Sequence, residues 1–245
     1  MHVRVASANM FVHNPDPAGG IAGLVRAVRP MRPPDSIGIQ EGSDMLPELR
    51  KVPDYQLVAD THGDRFARSN PILVNKRFEI IDTEFIQAAA GTGTSTTPPR
   101  NIVVAQYLKQ GVKVAHVNTH LHVVPEEDLA ARRIAGVPTL NRREKQYVNH
   151  VERLVKILAR LRENGFVVFV TADGNTRPRT GVTDWDFSLY VALAKQAKLK
   201  VERNGVDLVA YDGKQMKKLE RKVISRKVTG SDDHDAIVLA TERIR

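Results

Sequence analysis

The chain has no cysteine in its 245 residues. That excludes a disulfide framework, a thiolate metal site and a cysteine nucleophile. No apolar run approaches the length of a membrane span, so no membrane association is expected. No leader-like segment precedes the strand-like start Met1-His2-Val3-Arg4-Val5, and together with the missing cysteine this fits a cytoplasmic protein. No Gly/Ser-rich or Pro-rich linker divides the chain, so one domain over 1–245, acting as a monomer, is expected. Acid is also in short supply. Lys and Arg number 37 against 28 Asp and Glu, for a net charge of +9 and a pI near 9.8. Such a balance suits a polyanionic partner.

The clearest pattern present is residues 165–175, Gly-Phe-Val-Val-Phe-Val-Thr-Ala-Asp-Gly-Asn. Its continuous apolar, β-branched run predicts a strand buried on both faces. The run stops at Asp173-Gly174-Asn175, placing a carboxylate and an amide just past the strand end, with Gly174 permitting a sharp turn. Ligands of open α/β sheets bind beyond such ends. Other segments stop the same way. Residues 3–9 predict a strand closing on Asn9, and 36–41 one closing on Gln40-Glu41, where the carboxylate needs water or a cation. Residues 102–108 and 112–119 predict a hairpin through Gln110-Gly111, and alternation places His116, Asn118 and His120 on one face. With His122 these imidazoles permit a His-only metal site, but the carboxylates ending other strands favour an oxygen-rich one.

The remaining elements are read from period and punctuation. A helix is expected through Ile21, Leu24, Val25 and Val28, ended before Pro30. A longer one follows Asn141, whose capping box with Glu144 opens the stripe Tyr147, Val151, Leu154, Val155, Leu158 and Leu161. Strands are expected at 55–59, 71–75 and 78–87, the last two as a hairpin through Asn75-Lys76-Arg77, and at 206–211 and 236–241. Residues 91–99 lack the Gly-Lys-Ser/Thr ending of a phosphate loop and read as a flexible connector. Residues 123–139 form a long excursion, and Asp184-Trp185-Asp186 leads into a helix carrying Leu189, Leu193 and Ala197. Residues 195–227 hold eleven Lys/Arg against four Asp/Glu, a net of +7. With the basic loop after Asn175 they are expected to contact a phosphate backbone, through Arg177, Arg179, Lys217 and Lys218.

In chain order, Asn9, Gln40-Glu41, Asn118-Thr119-His120-Leu121, Asp173-Gly174-Asn175 and Ser231-Asp232-Asp233-His234 resemble the motif set of the endonuclease/exonuclease/phosphatase superfamily, whose members are similar to deoxyribonuclease I and exonuclease III. The resemblance spans nearly the whole chain. It departs at Ala172-Asp173-Gly174-Asn175, where the family has Gly-Asp-Phe-Asn, and at Asp232-Asp233-His234-Asp235-Ala236, where it has Ser-Asp-His, one residue, then Pro. No acidic residue lies two positions past Asn9, and His120 has no evident acidic partner. The resemblance implies an α/β (α+β) fold, a four-layer α/β/β/α sandwich of two mixed, mainly antiparallel sheets with helices outside. It implies hydrolysis of phosphodiesters or phosphomonoesters with Mg2+ or Mn2+. On that reading Glu41 is the main metal ligand, aided by Asp233 and Asn9. Asp173 orients or deprotonates the attacking water, Asn175 and His120 hydrogen-bond the phosphate, and Asp207 orients His234. The expectation is a metal-dependent nuclease acting on DNA. The alternatives are a small-molecule phosphoesterase of the same fold, or an inactive nucleic-acid binder, against which the complete polar set argues.

Overall fold

In a computed structural model, described over residues 1–10, 14–29, 32–59, 69–90, 99–122, 142–175 and 189–244, the strands form two six-stranded sheets. The first holds β1 (His2–Asn9), β2 (Ser36–Gln40), β3 (Tyr55–Val58), β4 (Ile72–Asn75), β11 (Met216–Ile224) and β12 (Ala236–Arg243). Its order is β11-β12-β1-β2-β4-β3. The second holds β5 (Glu79–Ala89), β6 (Arg100–Lys109), β7 (Val112–His120), β8 (Val167–Asp173), β9 (Lys200–Asn204) and β10 (Asp207–Tyr211), in the order β5-β6-β7-β8-β10-β9. Each sheet has one parallel pair, β1–β2 and β7–β8, and is otherwise antiparallel.

A parallel pair requires a crossover, and helices supply both. Helix α1 (Pro17–Ala27) lies between β1 and β2 in the chain. Next comes α2 (Leu46–Leu49), and α3 (Arg142–Glu163) lies between β7 and β8. The start of α1 is set by Asp16, whose Oδ1 accepts from the Gly19 amide at 2.8 Å, with Pro17 in the first turn. Its apolar stripe, Ile21 and Leu24, packs on Ala6, Ala8 and Val238 of the first sheet. The α3 stripe, from Tyr147 to Leu161, packs on Val168 and Val170 of the second. Two shorter helices complete these outer layers: α4 (Leu189–Val191), running into a π-helical stretch at Ala192–Gln196, and α5 (Arg226–Thr229). Between the sheets lies an apolar layer of Val3, Val5, Tyr107, Phe169, Val209 and Leu239. Full burial of each such side chain contributes roughly 1.5–3 kcal/mol. The four-layer α/β/β/α order expected from the sequence is therefore present.

One expected pairing is wrong. Residues 71–75 and 78–87 are not a hairpin: β4 pairs with β2 and β3, while β5 pairs with β6 in the other sheet. The chain turns at Asn75, whose carbonyl accepts from the Phe78 amide at 3.0 Å, and crosses the sandwich there. A short link between two alternating runs carries no mark of which sheet each run joins. The strand β11, hidden in the lysine-rich segment, was also not anticipated. The 91–98 connector, the 123–139 excursion, Asn141 and 184–186 lie outside the described residues.

Two buried imidazoles predict acid lability. His116 contacts Ser36 Oγ and Thr171 Oγ1, each at 2.8 Å, and His150 contacts Thr119 Oγ1 at 2.7 Å. Burial pushes each down to about 3. Both stay neutral in the folded chain but charge in the unfolded chain below about 6.5, so their contribution is full above that pH and is lost on descent toward 3. Each imidazole should cost about 1.4 kcal/mol per pH unit within that window. Urea denaturation at pH 8, 6 and 5 reads this slope. His116→Gln should flatten it by one proton, and an unchanged slope would show that His116 protonates in place.

Candidate active site

Polar residues from both sheets meet at one end of the sandwich. Asn9 and Gln40 end the parallel pair β1–β2, and His120 and Asp173 end the parallel pair β7–β8. Asp207 opens β10 directly opposite Asp173. His234 precedes β12, the neighbour of β1. The turns leaving these strands are tight: Glu41 has φ 62° and Asn175 φ 50°. For a non-glycine residue that conformation costs about 1–2 kcal/mol, asparagine tolerating it best. Asp54, Gln110 and Lys198 adopt it between elements outside the site, and at Glu41 and Asn175 it aims the side chains at the cluster.

The side chains meet. Asn9 Nδ2 donates to Asp173 Oδ2 at 3.0 Å and to Glu41 Oε1 at 3.4 Å. Asp173 Oδ1 accepts from the Asn175 amide at 2.8 Å. The Asn175 side chain donates to Leu121 O at 2.8 Å and lies against His120 Nε2. His234 Nδ1 is held by Asp207 Oδ2 at 2.7 Å, and its Nε2 is 3.9 Å from Asp173 Oδ2. Behind this ring a polar layer locks the strand ends. Gln40 Nε2 donates to Asn118 Oδ1 at 2.6 Å, Thr171 Oγ1 to the same oxygen at 2.9 Å, and Asn118 Nδ2 to Ile39 O at 2.7 Å. Gly38 makes that layer possible, since a Cβ there would stand 1.9 Å from Thr171 Oγ1.

Electrostatics distribute the charges. Burial, then the nearby Asp207 carboxylate, pushes Asp173 up to about 6. Burial also raises Asp207, opposed by its bond to His234. Burial alone would lower His234, but the hydrogen bond and charge of Asp207, followed by Asp173 and Asp233, carry it up to about 9. An imidazolium thus sits between two buried carboxylates. His120 goes the other way, held well below the ordinary imidazole range by burial and then Arg100. Its Nδ1 is 3.2 Å from Arg100 Nη1. A guanidinium can only donate, so Nδ1 accepts and the ring is neutral. On its other side His120 Nε2 faces an acid, 3.6 Å from Asp173 Oδ2, so the ring lies between the Arg100 guanidinium and that carboxylate.

These residues fit a divalent cation. Ligand atoms of Glu41, His120 and Asp173 lie within 4.8 Å of one another, as do those of Asp173, Asp207 and His234. Asp207 Oδ1 is buried with no hydrogen-bond partner. A carboxylate-rich donor set matches hard ions such as Mg2+ or Mn2+. Asp233, expected as a ligand, is outside both groups among the described residues. Its side chain is 66% exposed on the rim, with Oδ1 3.3 Å from His234 Nε2.

Compared with solved structures, the chain superposes along its whole length. An endonuclease/exonuclease/phosphatase from Bacteroides vulgatus matches with a TM-score of 0.73 at 15% identity, covering 100% of both chains. The fold is that of the endonuclease/exonuclease/phosphatase proteins. A mannosyl-6-phosphatase from Bacteroides thetaiotaomicron matches at 0.66 and 14% identity, over 99% of this chain and 100% of that one. D. rerio TDP2, solved with a single-strand DNA product, matches at 0.63 and 14%, over 98% and 99%. No protein-family model matches the chain, and no curated protein matches it in sequence.

The expected substrate-binding residues fare differently. Arg177 and Arg179 lie outside the described residues. Lys217 and Lys218 are not near the site. Lys217 pairs with Glu242, which also pairs with His2, whereas the site lies at the other end of β1 and β11. At about 3.3 Å per residue that is a separation of roughly 20 Å. Lys218 Nζ bonds Glu202 at 2.6 Å, so it ties the exposed edge strand β11 to the edge strand β9. Charges on an edge strand also resist pairing with other chains. The positive surface beside the site is elsewhere. Next to Arg100, the end of β5 and the N-terminal half of α3 border a groove of about 570 Å3, whose lining includes Arg142, Lys145, Arg153 and Lys156 against Glu152. Among the described residues no helix is long and apolar enough to cross a membrane.

Proposed function

We propose that residues 1–245 act as one catalytic domain, a divalent-metal-dependent phosphodiesterase that hydrolyses nucleic acid, with DNA the expected substrate. The observation that carries this reading is the convergence of Glu41, Asp173, Asp207 and His234 at one end of the sandwich. Left alone, this carboxylate cluster would repel a phosphate. Mg2+ or Mn2+ held by Glu41, with Asn9 beside it, would reverse that field and withdraw charge from phosphorus. The chain's own groups do the rest. Asp173, ionised above about 6, takes the proton of the attacking water. The water oxygen bonds to phosphorus as the bond to the departing sugar oxygen breaks, leaving a phosphomonoester, and the sugar oxygen takes a proton from solvent to become an alcohol. His234, protonated below about 9 and held by Asp207, donates to a phosphoryl oxygen as its charge grows. Asn175 adds an amide donor, and neutral His120 adds a polar wall that does not compete with the cation for carboxylates.

The direct test is cleavage of labelled duplex DNA, single-stranded DNA and RNA with Mg2+ or Mn2+, beside EDTA controls and a sugar phosphate. Metal-dependent scission of a polynucleotide is expected. Release of phosphate from the sugar ester alone would support the small-molecule phosphoesterase instead, and binding without any turnover the inactive binder.

The groove beside Arg100 gives this reading a second prediction. If a strand leaves the site along α3, then Arg142→Gln, Lys145→Gln and Lys156→Gln together should lower the log–log salt dependence of DNA binding by about 0.9 per lost phosphate contact. Lys217→Gln with Lys218→Gln should leave it unchanged. The reverse pattern would move the substrate path to β11.

A further inference from the structure

The opposite end of the sandwich holds a second cationic pocket, separated from the site by the length of β1. It lies where β1 begins and the β6–β7 turn closes, and occupies about 470 Å3. Its lining includes Arg4, Arg32, Arg77, Lys109 and Phe78. At its floor is Asp35, whose side chain is fully buried. Both oxygens of Asp35 are already committed. Oδ1 takes the Arg77 guanidinium, and Oδ2 takes Lys109 Nζ together with the backbone amide of Arg4 at 2.9 Å. Arg77 and Lys109 also lie over the Phe78 ring, at 4.7 and 5.1 Å from its centroid, and Phe78 stacks on Tyr107 at 5.5 Å. One carboxylate thus anchors two cations on a rigid aromatic base.

The charges do not balance. Four cationic side chains line the pocket around a single carboxylate. Among the described residues no carboxylate pairs with the side chain of Arg4 or Arg32, and Arg4 Nε is buried with no hydrogen-bond partner. Lys109 is 8% exposed, and burial, together with Arg77 and Arg4, works to lower its pKa against Asp35. Arg32 is exposed and Arg4 half-buried, so their charges face the pocket mouth without a counter-charge, while the buried Arg4 Nε left unsatisfied costs about 1–3 kcal/mol. An anion in the pocket would balance the charge and offer that donor a partner.

We propose that this pocket binds a compact oligophosphate of the pyrophosphate type, free or as the head of a nucleotide. A lone carboxylate would leave most of the excess positive charge in place, whereas a diphosphate has the required charge density and suits the forked donors of arginine. The volume lies within the roughly 300–1,000 Å3 usual for small-ligand sites. Phe78 is already covered by Arg77 and Lys109, so the ring is not offered for base stacking and the phosphate end carries the recognition.

The test is calorimetric titration of the full chain with pyrophosphate in EDTA, at about 0.15 M salt so that diffuse attraction is screened. Arg4→Gln with Arg32→Gln leaves the Asp35 cluster intact, because Arg4 reaches Asp35 through its backbone amide. Saturable binding tighter than about 1 mM is expected, weakened at least tenfold in that double variant and unchanged in Asp173→Asn. Equal affinity in the double variant, loss in Asp173→Asn, or no saturation would each overturn the proposal, the second by moving the phosphate to the catalytic end. ADP provides the second arm: tighter binding than pyrophosphate identifies a nucleotide, and equal or weaker binding a free oligophosphate. Cleavage by the Arg4/Arg32 variant is measured in parallel. Its retention keeps this result separate from the fate of the phosphodiesterase reading.

Discussion

Asp173→Asn is expected to lower the single-turnover cleavage rate by about 10²–10⁴-fold, the usual contribution of a positioned general base. His234→Ala should lose about 10²–10³-fold, the typical cost of one donor to developing phosphate charge. The two act on one phosphate from sides 3.9 Å apart, and Asp207 ties His234 to the same cluster. The double variant should therefore lose little more than the worse single one, because groups working as a unit fail together. Binding of uncleaved DNA in Ca2+ is measured alongside and should hold in Asp173→Asn. Stability supplies an independent readout. The Asp173 carboxyl is raised to about 6, so keeping it ionised opposes folding, with the cost growing from the ordinary carboxylate range up to pH 6 and full above it. At pH 8 without metal, Asn removes that cost, and Tm should rise by roughly 2–6 °C. Fully additive rate losses, or a Tm that falls, would mean that Asp173 is a structural acid and not the base.

The parts of this site legible in the sequence share one physical cause. A strand buried on both faces is apolar without interruption, so a polar residue that ends it abruptly stands out. That is how Asn9, Gln40-Glu41, Asn118 to His120 and Asp173 to Asn175 could be placed at strand ends without coordinates. The pairing of Asp207 with His234 rested on family resemblance alone, since 26 intervening residues separate them and only the packing of the two sheets, with β10 and β12 both starting at the site end, brings them together. Other features left no such trace. Arg100 opens β6 after a low-complexity stretch, and nothing local says that its guanidinium meets His120. Strand β11 alternates too weakly beneath its lysines to declare itself, because an edge strand exposed along most of its length has little apolar face to show. A net charge of +7 over 195–227 was real, but charge totals along a sequence do not record which end of a strand they occupy. Lys217 and Lys218 therefore landed at the far end of the sandwich.

Glu41 carries the second large effect, read in metal binding before any turnover. Its Oε1 accepts from Asn9, and its carboxylate joins His120 and Asp173 in one ligand group. Glu41→Gln keeps the shape and an oxygen acceptor but removes the charge a hard cation requires. Mn2+ affinity, followed by the loss of free-ion electron paramagnetic resonance signal, should weaken by about 100-fold or more, beyond the 10–100-fold usual for a group one step removed from a metal. A second substitution separates ligand from scaffold. Glu41 has φ 62°, a conformation open to glycine without strain. Glu41→Gly should therefore relieve about 1 kcal/mol and raise Tm by roughly 2–4 °C while abolishing Mn2+ binding. A protein that becomes more stable as it loses its metal is the signature of a residue held in strain for function. If instead Glu41→Gly is destabilised and Glu41→Gln binds Mn2+ normally, Glu41 serves the turn after β2 and is not the ligand.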